Sequence, residues 1–333
     1  MSVLASRPAM ALATGAAALV AACVVSLGVG ARRLSVSTVW AALVDPDPTL
    51  FDHAVVQEHI PRTLVGVLVG AALALAGAAL QGMTHNPLAD PGILGLNAGA
   101  TAAVVAAIHL LGIGDIGGYV WFAFAGAALA ALVVHLIASL GGGGATPLTL
   151  ALAGAAVTAG LTSVTGLLLV LSSESLELYR FWQLGSLAGR DGDLLRATAP
   201  FVVVGLLIVL GGARALDALA LGDDVARGLG QRVGPTRVVL GMGVVLLCGA
   251  SVALAGPIGF VGLVVPHAAR RLVGPDHRAM LALCALLGPV LLLAADVLGR
   301  VVMPPGEVQA GVMTALVGAP VFIAVVRGSR VGA

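Results

Sequence analysis

Residues 59–99 read HIPRTLVGVLVGAALALAGAALQGMTHNPLADPGILGLNAG. An apolar run about one bilayer thick starts just after Arg62 and ends at Gln81. The polar turn Thr84-His85-Asn86-Pro87-Leu88-Ala89-Asp90-Pro91 follows, and a second apolar run begins at once. Two such runs back to back leave a soluble fold no polar face to show to water. A bilayer is the solvent that fits. There the backbone must satisfy its own hydrogen bonds, which a run of this length does as a helix.

Composition says the same of the whole chain. Of 333 residues, 59% are hydrophobic before the 46 glycines are counted, and 10% are charged. Soluble domains carry roughly 25% charged residues, and this chain could not cover a water-facing surface with so few. A net charge of +1 gives no argument for nucleic acid as a partner. All 17 basic residues are arginine. Without lysine there is no P-loop of the GxxxxGK[ST] form and no Schiff-base chemistry. The energy for any pumping must then come from outside the chain or from an ion gradient.

A bilayer core takes about 20 apolar residues as helix. Candidate spans are 9–31, 61–82, 92–112, 119–140, 147–171, 194–213, 235–255, 258–273, 278–299 and 307–327, the eighth of them short. Glycine and alanine are dense in these runs, so close helix contacts are expected. Gly66 and Gly70 are read as one such packing pair within the chain. Val20-Ala21-Ala22-Cys23 resembles a lipoprotein processing site, but apolar residues continue through Gly30, which favours a retained first helix.

The interruptions carry more information. Residues 33–58 are semi-polar with the turn cluster Asp45-Pro46-Asp47-Pro48, and read as a surface excursion holding one amphipathic helix near Val36–Leu43. Gly141–Gly144 reads as a flexible turn. Residues 172–193 mix charges with Phe181-Trp182 and read as a helix lying at the interface. Residues 214–237 read as two short helices broken at Gly228-Leu229-Gly230. With the N-terminus in the cytoplasm, ten arginines fall inside and seven outside, a small positive-inside bias. The words Pro91-Gly92-Ile93-Leu94-Gly95-Leu96 and Pro257-Ile258-Gly259-Phe260-Val261-Gly262-Leu263 hint at an internal repeat, as transporters often have.

Other motifs lack the context their chemistry needs. Gly112, Gly114 and Gly117 spell GxGxxG, but no strand precedes them. Seven histidines form no HExxH and no close cluster, so no metal site is assigned. Cys23, Cys248 and Cys284 each sit inside an apolar run, without CxxC, and predict neither disulfide nor zinc. Asp296 is the one acid clearly within a span, and Arg300 lies on the same helix face. This reads as a local ion pair. A proton-driven carrier usually needs more buried acids.

In Leu219–Gly230, Asp223 and Asp224 favour a helix N-terminus, where they would cap free N–H groups. Gly228 or Gly230 can end it. The result would be a short rigid helix carrying Val225, Ala226 and Leu229.

Several words in order now carry a resemblance. They are Pro61-Arg62-Thr63-Leu64, Gln81, Asn86-Pro87-Leu88-Ala89-Asp90-Pro91, Gly222–Gly230, Gly256–His267 with Arg270, Ala294–Arg300 and Gly318–Phe322. Together they resemble FecCD-type permeases of ABC importers for iron–siderophores, haem and cobalamin. The resemblance implies an all-α membrane protein of about ten transmembrane helices, one permease domain over residues 1–333. It implies a type II importer fold in the cytoplasmic membrane, with a second permease copy or paralogue. The other partners it implies are two ATP-binding cassette subunits and an extracytoplasmic substrate-binding protein.

The site residues follow from the same resemblance. Arg62 and Arg300 would meet carboxylates on the substrate-binding protein, and His59 stands where the family has a further arginine. Asn86 and Leu88 would form a cytoplasmic gate, with Gly141–Thr146 matching a second gate turn by location. Gly222, Asp223, Asp224, Val225, Ala226, Arg227, Leu229 and Gly230 would seat in the ATPase. The permease would hold no cofactor and catalyse nothing itself, ATP and Mg²⁺ residing on the partner. The rival reading is a secondary carrier driven by an ion gradient.

Overall fold

The structure, a computed structural model, describes residues 2–30, 32–140, 146–190, 192–303 and 306–329. The helices are α1 (Ser2–Gly28), α2 (Val36–Val44), α3 (Phe51–Thr84), α4 (Leu96–Leu111), α5 (Ile116–Ser139), α6 (Pro147–Leu171) and α7 (Ser173–Gln183). They continue as α8 (Gly192–Gly211), α9 (Ala213–Ala220), α10 (Asp223–Gly228), α11 (Val233–Ala255), α12 (Val261–Val273), α13 (His277–Val302) and α14 (Ala310–Ser329). A 3-10 turn, Pro91–Leu94, precedes α4. Among the described residues, seven helices (α1, α3, α5, α6, α8, α11 and α13) are long and apolar enough to cross a bilayer by themselves. The three other expected spans fall on α4, α12 and α14, of which α12 has 13 residues, about 20 Å of helix.

The centre of the bundle is α3, whose residues Val69–Met83 are all buried. A helix apolar on every side has to be surrounded, and the small residues of this one let its neighbours come close. A Cβ on Gly70 would lie 2.6 Å from the Pro289 backbone of α13. One on Gly77 would lie 2.1 Å from the Gly262 carbonyl oxygen of α12. Gly66 faces Leu293 of α13, so Gly66 and Gly70 are packing positions within the chain, as expected. Gly99 of α4 and Gly126 of α5 make a second backbone-to-backbone crossing. By contrast α6 is mostly uncovered by the rest of the chain.

Two expectations about elements are corrected. The second span was placed at 61–82, but α3 begins at Phe51 and runs through Pro61. Proline read as a boundary hid its first turns, and the expected excursion is therefore α2 plus the start of α3. Gln57 and His53 on those turns hold Ala42 O and Asp47 N–H, fastening α2 to them. Second, the break between the two short helices is at Gly222, with φ 102°, not at Gly228–Gly230. α7 lies where the interfacial helix is expected, with its Trp182 buried against the chain. The expected turn Gly141–Gly144 lies outside the described residues.

The two echoing words meet. Pro91 and Gly262 both sit at helix interruptions, and a Cβ on Gly262 would lie 3.4 Å from the Pro91 ring and 3.0 Å from Leu73 O. The ends of the helices sort into two groups. The ends of α1 and α13 meet the start of α3 at one end. The end of α3 meets α9, α10 and the starts of α11 and α13 at the other. α1, α11 and α13 therefore run opposite to α3.

Candidate functional site

At the end predicted to face outward, α3, α13 and the segment after α13 build one charge cluster. Arg62 Nε donates to Asp296 Oδ2 at 3.0 Å and Nη2 to Oδ1 at 2.8 Å. Its other edge takes Glu307, Nη2 to Oε2 at 2.8 Å and Nη1 to Oε1 at 3.2 Å. Four of its five N–H groups are thus engaged. Arg300 donates to Ser26 O at 2.9 Å and Ser26 Oγ at 3.1 Å, and pairs with Asp296 Oδ2 at 3.1 Å. The expected Asp296–Arg300 pair is present, with Arg62 added from the neighbouring helix.

The structure does not bring the three expected docking residues to the surface together. Arg300 is 2% exposed, held inward by Ser26 and Asp296. Helix spacing put it on the face of Asp296. Packing of α13 against α1 and α3 turned that face inward. His59 is half-buried, its Nδ1 3.0 Å from Leu27 O. Arg62 lies at the rim under the half-exposed Glu307. Burial alone would raise the Glu307 carboxyl, but the Arg62 hydrogen bonds and charge, with Arg300 behind, hold it below the usual range.

At the opposite end, Asn86 and Leu88 stand in a tight turn. Asn86 Oδ1 accepts Leu88 N–H at 2.9 Å and Asn86 O accepts Ala89 N–H at 3.0 Å. Prolines on both sides restrict the backbone further. Leu88 is exposed and shares a small cavity with Leu263, His267, Val321 and Phe322. Asp90, just beyond, accepts Gly92 N–H at 2.8 Å, while burial pushes its carboxyl up. Of the second gate turn only Thr146 is described, as the N-cap of α6; residues 141–145 lie outside the described residues.

The expected ATPase-coupling segment is α10 and its ends. Asp223 and Asp224 do not cap it: its N-cap is Gly222, with no side-chain bond. Arg237 takes Asp223 in a fork at 2.7 and 2.9 Å, and Arg227 takes Asp224 at 2.7 Å. Those arginines outcompete the helix N–H groups because the carboxylates gain a charged partner. The C-terminal signal is as expected. Gly230, φ 83°, donates to Arg227 O and Gln231 to Ala226 O, a Schellman end. Ala226 is fully buried within the chain, behind Val225 and Leu229. Val225 and Leu229 are 49% and 64% exposed.

Sequence reasoning missed Glu307, Asp217 and the roles of Arg237, His85 and His277. Each acts through a partner far away in sequence, so spacing carried no signal for them. Among the described residues no three His, Cys, Asp or Glu side chains could hold a metal.

A bundle of long apolar helices, with ion-pair clusters toward its two ends, is the architecture of a multi-pass membrane protein. The chain belongs to the FecCD transport family, which matches residues 18–328. It is 43% identical over 310 residues to the ferric enterobactin transport system permease protein FepD of Escherichia coli, covering 93% of this chain and 92% of that one. It is 42% identical over 275 residues to the cobalamin import system permease protein BtuC of Halobacterium salinarum, covering 83% and 73%. A solved metal-chelate type ABC transporter in an inward-facing conformation superposes with a TM-score of 0.83 at 29% identity, covering 96% of this chain and 99% of that one. The chain is therefore an ABC importer permease of the cytoplasmic membrane, not an ion-gradient carrier.

Proposed function

We propose that this permease imports a ferric chelate of the siderophore type, as one of a pair of permease subunits driven by two ATPase subunits. Its residues form one transmembrane domain. Substrate reaches it from an extracytoplasmic binding protein that docks at the rim around Arg62. Asn86 and Leu88 gate the inner mouth. The ATPase seats on α10, where ATP-driven movement tilts the bundle between outward and inward access. ATP and Mg²⁺ belong to that partner.

One observation carries the coupling part. α10 is a short helix closed at its C-terminal end, whose Val225 and Leu229 are turned to solvent while Ala226 anchors it from behind. Apolar side chains held outward on a rigid helix suit a groove in a partner. The chelate is proposed from the relatives, whose names include ferric enterobactin and ferric citrate systems. Val225→Glu and Leu229→Glu should each lose ATPase co-purification while the permease still inserts; retained co-purification would refute the seat. Liposomes holding the whole complex should import radiolabelled ferric chelate and not cobalamin, and the reverse result would move the substrate class.

A further inference from the structure

α9 and α10 have eight and six residues, too few to hold their own shape in water. Something else must fix them, and three polar ties do so. The first is Arg237 in the opening turns of α11. Besides gripping Asp223, its Nη2 reaches Met83 O at 3.4 Å. Met83 belongs to the last turn of α3, whose carbonyls have no acceptor role within the helix and favour a cation. The second is His85, left-handed at φ 53° directly after α3, whose ring Nε2–H donates to Leu219 O at the end of α9.

The third tie closes a triangle. Asp217 of α9 accepts from His277 N–H at 2.9 Å and His277 Nδ1–H at 2.7 Å, at the first residue of α13. His277 is buried, and a Cβ on Gly82 of α3 would lie 2.9 Å from its Nε2. All three ties converge on Gly82–His85, the residues that lead into the Asn86–Leu88 turn. The apolar side of the same unit is shut as well, with Leu216, Leu219 and Ala226 fully buried. Leu221, Val225 and Leu229 are the large apolar side chains of the unit left facing out.

We propose that Arg237, His85 and the Asp217–His277 pair are positioning residues that clamp α9–α10 to the inner end of α3, so that the ATPase seat and the gate turn move as one body. A displacement applied at Val225 and Leu229 then arrives at Asn86 and Leu88 directly, without having to bend a transmembrane helix first. The use of the clamp rests on the coupling and gating reading above; the mechanical tie does not.

The test reads the tie itself. Spin labels go on Leu221→Cys and Leu88→Cys, both exposed, in a Cys23→Ala chain diluted with unlabelled protein so that only the intrachain distance is seen. The native clamp should give one narrow distance. Arg237→Gln should broaden it, and Arg237→Lys, which keeps the charge but loses the fork, should leave it broad. A control pair on Met242→Cys and Leu298→Cys, both exposed and away from the clamp, should stay narrow in Arg237→Gln, which separates a lost tie from a fold defect. An unchanged width between the Leu221 and Leu88 labels in Arg237→Gln, or equal broadening of the control pair, overturns the clamp. In the complex with its ATPase, ATP should shift the Leu88 label in the native clamp and not in Arg237→Gln, with hydrolysis retained. A shift that survives Arg237→Gln defeats the clamp alone. No shift even with Arg237 in place defeats the coupling reading and leaves the intrachain result to decide the clamp.

Discussion

Arg62 and Asp296, 234 positions apart, are joined through a bidentate hydrogen-bonded ion pair at 3.0 and 2.8 Å that locks the start of α3 to the end of α13. The side chain of Asp296 is 1% exposed and that of Arg62 11%. Asp296 also neutralises Arg300, so one carboxylate serves two guanidinium groups and Glu307 supplies the second negative charge. The cluster is a closed network at the outer mouth, not a pair of free arginines.

Removing its centre should be severe. Asp296→Ala leaves Arg300 buried without its counter-ion, a loss of roughly 3–5 kcal/mol for breaking a buried pair from one side. Thermal unfolding of the purified permease should show a clear drop, larger than for Glu307→Ala at the exposed edge. An Asp296→Ala protein that melts like the parent would contradict the network.

Glu307 gives a pH signature. Its carboxyl is held below the ordinary value of about 4.3. A depressed acid stabilises the fold fully above its unfolded value, and that contribution fades as pH falls through the lower folded one. Isotope-edited infrared titration should therefore find Glu307 still ionised at pH values where a free glutamate is largely protonated. In Arg62→Gln the titration should move up, because burial remains when the hydrogen bonds are gone. No upward movement would mean that Arg62 is not the cause.

Docking must contend with Glu307 as well. With four of the five Arg62 N–H groups engaged, a receptor carboxylate can form a two-bond fork on its outer edge only by replacing Glu307. Glu307→Gln should then tighten receptor binding, by about tenfold if the exchange costs 1.4 kcal/mol, and Arg62→Ala should weaken it. Surface plasmon resonance with immobilised permease checks both. Weaker binding in Glu307→Gln would show that Glu307 supports docking instead of blocking it.

The gate turn predicts state-dependent contact. Cysteines at position 86 or 88, held by the Asn86 turn and its flanking prolines, should crosslink between two permease copies in one nucleotide state and not in another. Crosslinking that ignores nucleotide, or none at all, would remove these residues from the gate.

Close packing offers a paired control. Gly77→Ala would press a methyl group into the Gly262 backbone, and backbone cannot step aside. The cost should reach or exceed the usual 1–3 kcal/mol of overpacking, seen as a lower yield of folded permease. Gly241→Ala, with nothing within 4 Å, should be neutral.

The sequence by itself determined the solvent, the ten helical segments, the short helix near 223–228 and the family. Those follow from local facts: run length, the scarcity of charge and ordered words such as Asn86–Pro91. It also placed Asp296 and Arg300 on one face, because helix spacing is local. Which way that face points was decided only by tertiary structure, and it turned Arg300 inward onto Ser26 and Asp296. The same holds for Ala226, whose neighbours from other segments bury it while Val225 stays exposed. Arg237 joins Asp223 to Met83, and His277 joins Asp217 beside Gly82, across distances no spacing rule spans. An ion pair is fixed by which helices lie side by side, and that choice was made by the small residues of α3, which let α12 and α13 pack against its backbone.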